Sequence, residues 1–356
     1  MKKILIAAGA LFAAGSLFAY NPPSGGQNVL RLSSPFALTG ANSTAGGALH
    51  EVIPSSVLIN PALSAAEQRI SFDAGFTFLT DKNKYLDGSG MAFQLGATLP
   101  TRWCVPTVLV QGVFASLVDM HLEDSILGTA SVSKDITDKV SVGIGVTGGL
   151  FWNDTDSDWT LYANAGAVYN HGELAFMRDV RVAITVMNLG KMHSSDVAVL
   201  GIKGSAADDW PEFVTPRLGV AASFVETGDF RLGGSVDVAA PGLYKDFVVD
   251  LGVALEYSGL KPVTFKFTSA WEFDVQEFRN DRTNIVPGVG LSVKFNLNAA
   301  KSKAMESHGW AESELMVGGA WRNLYKDINA FSAGAVFKLG QNDIIPPTIT
   351  LWGNED

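Results

Sequence analysis

The sequence predicts an all-β protein: a 14-stranded antiparallel transmembrane β-barrel with an N-terminal hatch that contains short helices. Three observations carry the expectation. Segment after segment alternates apolar with small or polar side chains, nearly to the C-terminus. A leader with the parts of a secretory signal stands in front of them. The chain has one cysteine, so no internal disulfide holds it together. Side chains of a strand alternate between two faces, so such segments are strands with one apolar and one polar face. An outer-membrane barrel places the first face in lipid and the second in a wet or plugged lumen.

The leader spans residues 1–19. Lys2 and Lys3 supply the positive start, Ile4–Phe18 the apolar run, and Ala19 the small residue before a cut. Tyr20-Asn21-Pro22-Pro23 cannot continue a helix. The apolar run is short for a bilayer span of ~20 residues, so cleavage and export to the outer membrane are expected.

Residues 20–67 lack sustained alternation and are rich in Gly, Ser, Pro and Ala. They are expected to form the hatch inside the barrel. Asn60-Pro61-Ala62 opens its clearest helix: Asn60 caps free N–H groups, and Pro61 suits a first turn where its missing N–H costs nothing.

The barrel proper is expected over residues 68–340. In the first strand Ile70, Phe72, Ala74, Phe76 and Phe78 share one face, and Ser71, Asp73, Gly75 and Thr77 the other. Gly90–Leu99 repeats this with Met91, Phe93, Leu95 and Ala97 against Gln94, Gly96 and Thr98. In Lys139–Trp152, Val140, Val142, Ile144 and Val146 oppose Ser141, Gly143, Gly145 and Thr147. The candidate strands are 69–80, 90–99, 107–119, 126–134, 139–152, 159–170, 179–188, 214–225, 229–239, 246–258, 262–273, 285–297, 312–323 and 329–339. Roughly 19 residues per strand and turn suit membrane strands of ~9–11 residues, and an even count is usual for bacterial barrels.

Connections after even strands are expected at the periplasm, and three are tight: 135–138, 226–229 and 258–261. Leu189–Glu212 and Asp274–Asn284 are long and fit the outward side. Asn298–Ala311 is long on the periplasmic side, which means either an excursion or a slip of register. Residues 170–178 are a second weak point. Trp103, Trp152, Trp159, Tyr169, Tyr257, Trp271 and Trp321 lie near strand ends, where aromatic girdles meet lipid headgroups; core aromatics are the alternative. Residues 341–356 contain Pro346-Pro347 and read as a periplasmic tail.

Charge and motifs narrow the chemistry. A net charge of −10 argues against nucleic acid as a partner. His50, His121, His171, His193 and His308 show no metal spacing, and no nucleophile elbow or phosphate loop is present, so no enzyme activity, metal or cofactor is expected. The alternating carboxylates of Asp154–Asp158 read as a solvated outer loop. By alternation Asp73, Asp250, Glu256, Lys266, Glu272 and Lys294 point into the lumen. On the lipid face each would cost ~2–4 kcal/mol near the midplane. They are expected to hold the plug by pairing, ahead of a role along a transport pathway.

Two stretches carry a family resemblance. Ala37–Ser64 (ALTGANSTAGGALHEVIPSSVLINPALS) is a Gly/Ala-rich run that ends in Asn-Pro-Ala just before the first strand. Ala130–Val146 (ASVSKDITDKVSVGIGV) is strand, polar turn and strand with a Ser-x-Gly-x-Gly start. With the 14-strand pattern they resemble the FadL/PorV outer-membrane family, the long-chain fatty-acid transporter type. The resemblance implies a lumen plugged by a hatch, hydrophobic ligand sites near the outer mouth, and an irregular strand that opens the wall. It implies passive passage of hydrophobic compounds, with long-chain fatty acids one candidate cargo and membrane lipid a partner. The alternative is a PorV-like structural or shuttle protein that holds other proteins through its outer loops or tail. The short outward loops and the extra tail favour that alternative.

Overall fold

The computed structural model describes residues 32–39, 43–81, 88–114, 124–152, 157–191, 214–240, 247–260, 262–274, 285–297, 313–325 and 328–339. The expected leader, the tail and most of the long connections lie outside these residues.

The chain closes a barrel of 14 antiparallel strands, each hydrogen-bonded to its neighbours in sequence, with the last strand returning to the first. The strands are β1 (Ser71–Asp81), β2 (Ser89–Thr98), β3 (Val105–Phe114), β4 (Asp124–Thr137), β5 (Val140–Trp152), β6 (Ser157–Leu174) and β7 (Met177–Lys191). They continue with β8 (Thr215–Glu226), β9 (Phe230–Ala239), β10 (Val248–Leu260), β11 (Val263–Asp274), β12 (Ile285–Asn296), β13 (Glu314–Tyr325) and β14 (Ile328–Lys338). Closure is unbroken from Ser71 opposite Lys338 to Asp81 opposite Ile328. It satisfies every sheet edge, which hydrocarbon demands because no water is there to bond a free backbone group.

The alternation sets the two faces. Ile144 is 66% exposed while Thr77 is fully buried. Phe76 and Val253 are exposed, Phe267 and Val293 are half-exposed, and Gly145 and Ala254 are buried. The seven aromatics all lie on the outer surface. Trp103, Tyr169 and Tyr257 mark the end with short turns, and Trp152, Trp159, Trp271 and Trp321 the other. Trp159 and Tyr169 are ten residues apart on β6. At ~3.3 Å per residue and a tilt of ~40° that is about 25 Å along the axis, the height of an apolar membrane band. Cations stand over the rings at both ends: Arg102 lies 4.4 Å from the Trp103 centroid and Lys191 4.4 Å from that of Trp159.

The 170–178 region departs from the expected ending of one strand at 170. β6 and β7 form a continuous hairpin, with Leu174 opposite Met177. Its register shifts at Asn170, Gly172 and Leu174, so the period-two signal breaks where the strand does not. Gly172, Ala175 and Asp179 take positive φ there. The turn between β4 and β5 is also tighter than expected. Thr137 Oγ1 accepts from the backbone N–H of Lys139 (3.2 Å) and Val140 (3.1 Å), which lets β4 run to Thr137. The β12–β13 ladder has no shift between Gly288–Arg322 and Asn296–Glu314, so the long 298–311 connection does not reflect a slip of register.

Ahead of β1 come one helical turn, α1 (Pro35–Leu38), and two 3₁₀ turns, Pro54–Leu58 and Pro61–Ala66. A proline opens each, at the position where the lost N–H had no partner to begin with.

Candidate functional site

Residues 32–39 and 43–67 lie against the inward face of the strands, which has three regions. Toward the end with long connections it is apolar on β1–β5 and β14: Leu79, Ala92, Val113, Leu127, Phe151 and Ala330 surround Leu32 and Leu38. The middle is neutral and polar. Gln111 Nε2 donates to Ser33 Oγ at 2.6 Å, Thr77 Oγ1 to the Leu32 carbonyl, and Thr107 Oγ1 to Ser64 Oγ at 3.1 Å. On β7–β14 it is strongly charged from the long-connection end, where Arg217, Asp237, Asp250, Glu272 and Arg322 lie, down to the short turns.

Asp73 accepts from the Ser55 backbone N–H (2.9 Å) and from Gln94 Nε2 (3.2 Å). Asp250 and Asp237 stand opposite each other on β10 and β9, and their like charges would repel. Arg217 reaches both, at 2.9 Å and 3.2 Å, and Thr44 donates to Asp237 through N–H (2.7 Å) and Oγ1 (2.6 Å). Glu272 pairs with Arg322 at 3.1 Å, and Arg322 also donates to the Leu38 carbonyl at 2.9 Å. Glu256 pairs with Arg231 at 3.5 Å and Lys266 with Glu51. Lys294 lines a cavity beside Glu51. The six residues therefore do not form one centre; they are spread around the lumen, and Lys266 and Lys294 both act on Glu51.

Asn60-Pro61-Ala62 sits against β5 and β6. Asn60 Oδ1 accepts the Ala62 N–H at 2.9 Å, and its Nδ2 donates to the Thr44 carbonyl at 2.8 Å. The side chain thus ties two parts of the segment together.

Alternation marked further inward residues that the sequence reading left unused. Arg181 is fully buried and donates to the Ala45 (2.8 Å) and Gly47 (3.1 Å) carbonyls. Lys338 donates to the Val52 carbonyl (2.8 Å) and pairs with Glu67 (2.7 Å). Both lie at inward positions of strands, as do Arg217, Asp237 and Arg322, so parity was available to find them. Glu51 and Glu67 lie where no period exists, and nothing in the sequence marks them. Burial opposes charge on Glu51, but Lys266, Lys294 and Lys338 outweigh it and hold the carboxyl at about 2. Burial, with Arg181 adding to it, lowers the neighbouring His50 to about 4.

No protein-family model matches the chain, and no curated protein matches it. Solved structures do. The monoaromatic hydrocarbon channel CymD is 10% identical, with 91% of this chain and 100% of that one covered, at a TM-score of 0.51. A deltaS2 mutant of the monoaromatic hydrocarbon channel TodX is 10% identical over 87% and 99%, at 0.52. A Pseudomonas aeruginosa FadL homologue is 11% identical over 90% and 98%, at 0.48. In fold this chain is similar to the CymD and TodX channels: a closed 14-stranded antiparallel β-barrel.

Proposed function

We propose that this protein lets hydrophobic small molecules pass across the outer membrane, with residues 20–67 as a hatch that must shift for passage. The observation that carries the reading is the apolar layer of the lumen, where Leu79, Val113, Leu127 and Phe151 meet Leu32 and Leu38 at one mouth. A pore for polar solutes gains nothing from apolar side chains in its mouth, whereas an apolar solute leaving water gains ~25 cal/mol per Å² buried. The shared fold with channels for monoaromatic hydrocarbons supports the same class of cargo.

Long-chain fatty acids are the specific cargo inferred from the family resemblance. Purified protein is titrated with radiolabelled oleate and with toluene, and proteoliposomes are assayed for their entry. Saturable binding and protein-dependent entry are expected for at least one. If neither compound binds saturably, the reading fails; toluene binding without oleate binding removes only the fatty-acid part.

One feature supports a second reading, a PorV-like protein that holds other proteins. The β6–β7 hairpin runs on past Tyr169, the last β6 residue paired with β5, to a tip with Leu174 and Phe176 exposed. A stoichiometric protein that co-purifies with the wild type, and not with Phe176→Ser, would favour it.

A further inference from the structure

At the short-turn end a cavity of about 220 Å³ remains between the 43–67 segment and the strands from β9 to β14. Its wall is mostly ionisable. Most of these groups are already matched: Glu67 with Arg69 and Lys338, Glu314 with Arg69, and Glu256 with Arg231. Glu51 is held by Lys266 just behind the wall.

Three nitrogens on the same cavity make no hydrogen bond among the described residues. Lys294 Nζ also makes no ion pair, though its charge acts on Glu51. Arg231 Nε and His50 Nε2 are buried with no hydrogen-bond partner; the former is ion-paired with Glu226 Oε1 at 3.9 Å, beyond hydrogen-bond range. Among the described residues, Lys294 is the cation on this cavity that makes no ion pair. Water can fill the space and meet the hydrogen bonds, but it carries no charge to pair with Lys294. An unmet buried donor costs ~1–3 kcal/mol, and more when charged.

We infer that this cavity binds one anionic group of carboxylate or phosphate type, held by Lys294 with Arg231 and His50 as further donors. The planar or tetrahedral oxygens of such a group supply two or more acceptors at once, which a neutral hydrocarbon lacks. The group is either the head of an amphiphile in the lumen or a free anion. The inference goes beyond passage of apolar compounds and stands whether or not they pass.

The full chain in non-ionic detergent is titrated calorimetrically with sodium octanoate, octanol, sodium acetate and sodium phosphate. One octanoate per chain is expected, weakened by about tenfold or more in Lys294→Gln and much less in Lys294→Arg, because a bond to a charged group is worth ~1.5–3 kcal/mol. Acetate or phosphate as tight as octanoate identifies a free anion as the ligand; octanoate far tighter than acetate identifies an amphiphile head. Anions that bind wild type and Lys294→Gln equally, or bind neither, overturn the site. Should Lys294→Gln fail to assemble, Arg231→Gln is judged by the same criterion. Anion binding without octanol binding sustains this site while counting against hydrophobic passage.

Discussion

Gly143 and Gly166 face each other across the β5–β6 ladder, and the Pro61–Ala62 peptide and the Asn60 side chain lie on the pair. A Cβ on Gly143 would stand 2.4 Å from the Pro61 carbonyl carbon, and one on Gly166 2.1 Å from Asn60 Oδ1. The two glycines form a notch in the inner wall. Gly143→Ala and Gly166→Ala should each push the segment off the wall, at the ~1–3 kcal/mol typical of overpacking. Hydrogen exchange over residues 60–66 should speed up while the strands stay protected. Unchanged exchange in both variants would show that the notch does not position the segment.

Asn60→Ala removes the cap on the Pro61–Ala66 turn and the bond to the Thr44 carbonyl. The cap is worth ~1 kcal/mol, and a stranded buried carbonyl adds ~1–3 kcal/mol. Limited proteolysis should cut the 43–67 region several-fold faster than in wild type, and conductance in planar bilayers should rise. Conductance that is also unchanged on deletion of residues 20–58 would rule out the plug.

Arg217 holds two buried carboxylates that face each other, Asp237 and Asp250. Arg217→Met leaves both without this cation, and breaking a buried pair in this way costs ~3–5 kcal/mol. Assembly of heat-modifiable barrel should fall sharply. The triple replacement Arg217→Met, Asp237→Asn, Asp250→Asn should recover much of it, because no unpaired buried charge then remains.

Acid should loosen the N-terminal segment. Glu51 titrates at about 2 in the folded protein, against 4.5 when unperturbed, and His50 at about 4, against 6.5. Both values are depressed, so each group's contribution is complete above its unperturbed value. It is lost as pH falls through the folded value. Protection of residues 43–67 against exchange, corrected for the intrinsic rate at each pH, should therefore fall from near pH 6.5 downward and steeply toward pH 2. Glu51→Gln should flatten the lower part of that profile. A flat wild-type profile between pH 6 and pH 2 would contradict the assignment.

Ile144 and Ser141 test the register. Ile144 faces lipid, so Ile144→Arg should cost ~2–4 kcal/mol and impair assembly. Ser141 faces inward and donates to Asp135 Oδ1 at 2.6 Å, so Ser141→Arg meets a carboxylate and should be tolerated better. Single cysteines at Phe76, Ile144, Val253, Phe267 and Val293 should react with a lipid-soluble maleimide, and those at Thr77, Gly145 and Ala254 should not. The reverse labelling would mean that every face has been inverted.

Read alone, the chain was sufficient to count the strands and to tell the two faces of each strand apart. Those properties follow from a local rule: a strand's side chains alternate, so parity carries over from one residue to the next. The β6–β7 hairpin escaped because bulges at Asn170 and Gly172 break the parity while the pairing continues. Only the closed barrel decided which charge meets which. Arg322 finds Leu38 across 284 residues, Lys338 finds Val52 across 286, and Thr44 finds Asp237 across 193. The notch of Gly143 and Gly166, the apolar mouth and the unpaired Lys294 belong to the same class. Each is a property of side chains brought together by ladder closure, and no local period in the sequence encodes such distances.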